Sequence, residues 1–262
     1  MAMYVVFVSV AFALCLHVGD SIHVTIGAIM PDDDSKLFSI RRVSPAIDYA
    51  IEILHNTTTH TYTVLYRDSQ CNAALGMAMA IDLYIKEKID VFFGPVCDYT
   101  LAPVARQVQY WNIPLLSVGA MAREFLVQRQ IEYTTLSRLG PINFNSLADY
   151  LINLYRSIGW SIFKLIYQNN GQDKDMEGVC GIAAASLYHA FRDSAPEITL
   201  DYIKVELKLS EAEIRRILTA EIGNTYSVSW LALFCITLEA LPLVRYVITQ
   251  ATRLIQTHGT ID

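Results

Sequence analysis

The chain carries none of the motifs that a nucleotide-binding or hydrolytic α/β site needs. GxGxxG after a strand, GxxxxGK[ST], G-x-S-x-G and HExxH are all missing. Histidine is scarce: six residues, without CxxC or HxxxH spacing, leave a metal centre little to recruit. Only 18% of the residues are charged, the formal balance is −6, and no candidate helix carries a basic stripe, so no nucleic-acid partner is expected. Beyond the N-terminus no apolar run reaches the roughly 18 residues of a membrane span. Metal and enzyme readings fall back on Asp32, Asp33 and Asp34, a run that a solvated turn explains as well.

What is present is apolar: 53% of 262 residues are hydrophobic, enough for one sizeable core or two modest ones. An unbroken apolar run from Met3 to Leu16 is short for a bilayer and suits a signal-peptide core, so residues 1–19 read as a signal peptide. That places the remainder in an oxidising compartment. Of five cysteines, Cys15 leaves with the signal peptide, and Cys71, Cys97, Cys180 and Cys235 remain. Asn56-Thr57-Thr58 is the one Asn-x-Ser/Thr sequon and marks Asn56 as a glycosylation site in a turn after a helix.

The pattern of apolar residues alternates strand with helix. Strands are expected at 22–30, 62–66, 90–93 and 114–117, with a short one at 133–136. Helices are expected from Ser44-Pro45 to Leu54, over 73–85, and from Tyr99 to Trp111. Gly140-Pro141 marks a change of unit. The same order then restarts with a helix from 144, strand 163–167, a helix to 191, strand 198–207, a capping box at Ser210 and Glu213, strand 230–236 and a helix over 238–255. This predicts an α/β fold of two lobes with mostly parallel sheets flanked by helices: a first lobe over 20–140 and an incomplete second lobe over 141–262.

Cys71 follows the second strand and Cys97 the third. Treated as neighbours about 4.8 Å apart, those strands bring the two sulfurs within disulfide reach. Cys180 and Cys235 are then left to pair. Structural free thiols are the second reading, and a reactive cysteine, with no histidine placed beside it, the third.

GPVCDYTLAPVAR at 94–106, followed by WNIPLLSVGA, together with YRDSQC at 66–71 and the order of the cysteines, resembles the natriuretic peptide receptors. These are membrane guanylate cyclase and clearance-type receptors whose extracellular ligand-binding region is similar to type I periplasmic binding proteins. The resemblance runs from about Ser21 to the C-terminus and implies the same pairing of cysteines, one per lobe. It implies a chloride held by the Ser69 hydroxyl and the amides of Val96 and Cys97, and a peptide hormone met by Tyr99 and Arg106. It implies a homodimer formed through the first lobe, with Gln107, Gln109, Tyr110 and Trp111 on the contacting helix.

Two departures weaken the match to the family's hormone pocket. Asn72 or Ala73 stands where the family has an acidic residue, and Gly181 to Ala185 replace aromatics and a glutamate. No cyclase, kinase-like or membrane-spanning part is present, so the chain reads as a non-catalytic piece of a receptor whose membrane contact lies in regions outside it. It would sit on the extracellular face of the plasma membrane, or be secreted if it ends naturally at Asp262. The alternatives are an amino-acid-sensing receptor, lined in part by residues 117–125, and a secreted decoy or dimerisation partner.

Overall fold

A computed structural model describes residues 21–140, 143–174, 176–205 and 231–234, with 212, 213, 216 and 220. The signal-peptide run, Ser210, the 238–255 helix and Cys235 lie outside the described residues.

The first sheet has five parallel strands in the order β2-β1-β3-β4-β5. They are β1 (His23–Met30), β2 (Thr61–Asp68), β3 (Val91–Phe93), β4 (Leu115–Ser117) and β5 (Leu136–Arg138). The last five residues of β1 are buried because both faces of this central strand are covered. Crossovers are helical: α1 (Ile40–Thr57) joins β1 to β2, α2 (Ala73–Glu87) joins β2 to β3, and α3 (Asp98–Tyr110) joins β3 to β4. Two single-turn helices, α4 (Glu124–Val127) and α5 (Arg129–Glu132), lead into β5.

The second sheet has three parallel strands in the order β7-β6-β8: β6 (Ile162–Tyr167), β7 (Thr199–Lys204) and β8 (Leu231–Phe234). α6 (Phe144–Ile158) precedes it, and α7 (Val179–Ser194) joins β6 to β7. Asn143 caps α6 by accepting the Ser146 N–H, and Gly159 closes it at φ 77°, a left-handed conformation that favours glycine.

Each sheet has its own apolar core. Ile29, Leu83, Phe92, Leu101, Val104, Val108 and Leu115 bind α2 and α3 to the first sheet. Tyr155, Phe163, Leu165, Leu187 and Phe191 fill the second, with Phe163 and Phe191 rings 5.0 Å apart. α2 and α3 approach closely at Gly76, where an added Cβ would lie 2.2 Å from Thr100 Cγ2.

Several expected boundaries move. α1 starts at Ile40 rather than at Pro45, because buried Ser39 accepts the N–H groups of Arg42 and Val43 and Ile40 donates to the Pro31 carbonyl. Pro45 therefore sits in the second turn, where its missing N–H leaves the Arg41 carbonyl without a helical donor. At its other end the helix runs on to Thr57 instead of stopping at Leu54, which puts Asn56 in the last turn of α1, exposed, rather than in the turn beyond it. The fifth strand runs over Leu136–Arg138, not 133–136. Tyr133 is drawn into the core against the Phe125 ring at 4.8 Å, a tertiary contact that alternation cannot show.

Candidate functional site

In an open parallel sheet the loops beyond the C-terminal strand ends form the natural binding edge. Here that edge is closed by the disulfide Cys71–Cys97, with Cα atoms 5.5 Å apart. The pairing matches the expectation, but the geometry behind it does not. β2 and β3 are not neighbours; β1 lies between them. The loops must bend over the end of β1 to meet, and Gln70 and Cys71 do so in the left-handed region, at φ 50° and 51°. Cys180 is also disulfide-bonded, on the buried side of α7, and its expected partner Cys235 is outside the described residues.

Ser69 is buried beneath this bridge. Its N–H donates to the Met30 carbonyl at 2.9 Å, and its hydroxyl accepts the Cys71 N–H at 3.4 Å. Val96 and Cys97 are buried too, and their N–H groups have no protein acceptor among the described residues. Thr100, in the first turn of α3, is a residue the sequence did not single out. Its hydroxyl is buried and has no partner among the described residues.

Tyr99 and Arg106 are two helical turns apart, on one side of α3. Tyr99 is half exposed, and its ring edge rests where a Cβ on Gly178, in the loop before α7, would lie 2.4 Å from Cε2. Arg106 is already engaged: Nε donates to Glu132 at 2.5 Å and the guanidinium stands 5.2 Å from the Tyr133 ring centre. The Glu132 hydrogen bond holds the Arg106 pKa above its ordinary value. Of the helix residues expected at a dimer contact, Tyr110 is 81% exposed, while Trp111 stacks on Tyr84 at 4.0 Å and covers the core edge. Gln109 is taken by Thr134, whose N–H and hydroxyl both donate to it.

Asp98 is a second residue that sequence reasoning missed. An acid in the first turn of a helix is so ordinary a partner for the helix dipole that it attracts no notice. It is buried here and accepts the N–H groups of Met121 and Ala122 at 3.2 and 2.7 Å. Burial raises its pKa to about 6 against the lowering effect of those amides.

In the acidic turn the carboxylates have local partners. Asp33 is spent on the N–H and hydroxyl of Ser35, Arg41 pairs with Asp34 at 3.1 Å, and no metal-binding cluster occurs among the described residues. A cavity of about 350 Å³ opens beside it, lined by Pro31, Asp33, Lys36, Asp68 and Gln70. Residues 117–125 do not line it. Ser117 donates to the Pro95 carbonyl, and Arg123 is bound to α7. No helix among the described residues is long and apolar enough to cross a membrane.

Solved structures share this architecture. A substrate-binding protein of an ABC transporter from Desulfitobacterium hafniense superposes with a TM-score of 0.60 at 13% identity, over 88% of this chain and 63% of that one. A solute-binding protein from R. palustris gives 0.55 at 14% identity, over 88% and 59%. The fold is thus that of the periplasmic binding proteins. Among curated proteins, atrial natriuretic peptide receptor 3 of Bos taurus is 32% identical over 175 residues, 63% of this chain and 32% of the receptor. The receptor of that name from Homo sapiens is 32% identical over 175 residues, 63% and 31%. Atrial natriuretic peptide receptor 2 of Rattus norvegicus is 30% identical over 142 residues, 53% and 13%. The chain spans about a third or less of the length of these relatives. Residues 42–195, more than half of the chain, match the family described as receptor family ligand binding region, a binding unit rather than a catalytic one, and the chain belongs to that family.

Proposed function

We propose that the chain is the extracellular ligand-binding region of a natriuretic-peptide-type receptor, with lobes over 20–140 and 141–262. In this reading it binds a peptide ligand at Tyr99 and Arg106 and acts in signalling through the longer protein. The observation that carries it is the sulfur-bridged edge between Cys71 and Cys97. It holds the first turn of α3, and with it Tyr99, in a fixed place. Half-exposed Tyr99 offers a rigid apolar contact, and Arg106 a planar donor set that would have to leave Glu132 for a peptide carboxylate or carbonyl.

An anion such as chloride beside the bridge fits this reading. The amides of Val96 and Cys97 and the Thr100 hydroxyl are buried donors without protein acceptors among the described residues, and Ser69 stands in the same turn as Cys71. Unpaired buried donors at a helix entrance favour an anion. A homodimer through the first lobe would use the exposed apolar residues Ile81, Ile85 and Tyr110 on α2 and α3. Asn56, exposed on α1, is the glycan site, and Cys180–Cys235 the second disulfide.

Titration of the purified, oxidised chain with a basic disulfide-ringed peptide, in chloride and then in a chloride-free buffer, tests the reading. Saturable binding that weakens without chloride is expected; a peptide that fails to bind in both buffers overturns it. A second reading, a receptor for a small zwitterion such as an amino acid, is favoured by the cavity at the ends of β1 and β2. There Lys36, through the Nζ donor not given to the Asp173 and Lys174 carbonyls, would face a carboxylate, and Asp68 an ammonium group. Amino-acid binding without any peptide response would select it.

A further inference from the structure

Among the described residues, polar ties between the two units include the Phe144 N–H to the Met121 carbonyl, at 3.0 Å, and two sites built around Lys36 and Arg123. At the first, Lys36, in the turn after β1, donates from Nζ to the carbonyls of Asp173 and Lys174, each at 2.7 Å. At the second, Arg123 gives its backbone N–H to Ser186 Oγ at 3.2 Å and sets its guanidinium 3.1 Å from Asp193, both on α7. Arg123 follows directly on a short irregular stretch, in which Ala120 takes the left-handed conformation at φ 58°. The Asp98 carboxylate holds that stretch through the N–H groups of Met121 and Ala122, alongside the Phe144 bond to the Met121 carbonyl.

We propose that Asp98 is a proton-operated anchor for the Arg123 tie: mild acidification loosens this link between the two sheets, while the Lys36 tie persists. The device stands whichever ligand the receptor takes. An ionised carboxylate accepts both amides at once, as charge-assisted bonds roughly twice as strong as neutral ones. Once protonated, one oxygen becomes a hydroxyl donor, and one of the two amides loses its acceptor. The stretch that positions Arg123 then keeps only weaker, neutral bonding to Asp98, beside the bond from the Phe144 N–H to the Met121 carbonyl. The Lys36 tie ends on backbone carbonyls, which do not titrate.

The surroundings single out Asp98 as the responsive group. Burial is the main cause that brings its pKa to about 6, and nearby Glu124 on α4 adds like charge. Tyr133, at the end of α5, also faces it, beneath Arg106 and its partner Glu132. α2 packs on the first turn of α3 through Gly76 and carries no titratable residue from Ala73 to Ile81. Cys97 is tied up in the disulfide. On α7, Asp193 faces Arg123 with Arg192 and His189 nearby. His189 is therefore the competing source of any pH response at this contact.

Hydrogen exchange on the oxidised chain, corrected for intrinsic rates, reads the anchor at pH 5 and pH 7.5. The amides of Met121, Ala122 and Arg123 are expected to exchange several-fold faster at pH 5. Asp98→Asn should exchange fast at both values, and His189→Gln should keep the wild-type response. Glu124→Gln leaves the anchor in place and removes only the like charge, so it should shift the midpoint of protection to lower pH; it serves even if Asp98→Asn folds poorly. Spin labels at exposed Tyr49 and Tyr150, one in each unit, should show a distance distribution that broadens at pH 5 in the wild-type background. Equal protection at both pH values, an unmoved midpoint in Glu124→Gln, or a response lost with His189 overturns the proposal.

Discussion

Cys71 and Cys97 stand 5.5 Å apart at Cα although the strands that lead into them are separated by a third, β1. The bridge therefore spans the end of the interior strand β1 instead of stitching neighbours, and it draws the start of α2 and the start of α3 together. Everything at the binding edge, from Ser69 to Tyr99, is positioned from this one cross-link.

Removing it should be costly. The bridge closes a loop of 26 residues, which by chain entropy is worth about 3.5 kcal/mol. A Cys71→Ser and Cys97→Ser double variant should lose about that much in urea unfolding. Peptide mapping without reduction should recover 71 and 97 in one linked fragment. Full alkylation of both thiols in the folded, secreted protein would remove the basis of the site.

The contact of Gly76 with Thr100 leaves no room for a methyl group. Gly76→Ala should destabilise the chain by about 1–3 kcal/mol through overpacking. Thr100→Ser takes away the clashing Cγ2, and in the double variant it should restore most of that loss. A double-mutant cycle by chemical denaturation reads the coupling. Additive losses would mean that the two helices move apart instead.

Asp98 should give stability an unusual slope. Its folded pKa of about 6 lies above the ordinary carboxylate value of 3.8, so between these pH values the folded chain keeps a proton that the unfolded chain has released. Stability then falls as pH rises from about 4 to 6, by up to about 3 kcal/mol, and Asp98 adds no further slope above that window. Asp193, Glu197 and Asp201 have carboxyls held below their ordinary values, chiefly by Arg192, Arg156 and Lys164, and slope the other way at lower pH. The difference between wild type and Asp98→Asn isolates the Asp98 component. Between about pH 6 and 4 the Asp98 contribution thus favours the folded chain even as the local Arg123 tie loosens.

Arg106 separates structure from binding. Its side chain is half exposed, so loss of the Glu132 pair in Arg106→Ala should cost only about 0.5–1 kcal/mol of stability. Peptide affinity should fall at least tenfold. Arg106→Lys keeps the charge without the planar fork, and should hold stability while losing most of the affinity. Equal affinity in all three proteins would show that Arg106 serves the Glu132 and Tyr133 contacts alone.

The order of strands and helices was readable in the sequence because each is a local matter. Period-two and period-3.6 patterns act within a few residues, as do the Asn72 and Asn143 caps and the Gly159 stop that the structure reveals. The GPVCDYTLAPVAR stretch, being contiguous, likewise announced the family and the pair of cysteines. Strand order is not local. That β1 divides β2 from β3, that Tyr133 is drawn out of a strand into the core, and that Asp98 and Arg123 form one linkage across two sheets follow from which distant surfaces pack together. Local periodicity sets what each segment can become; burial among segments far apart in the chain decides where it goes, and no stretch of sequence contains that information on its own.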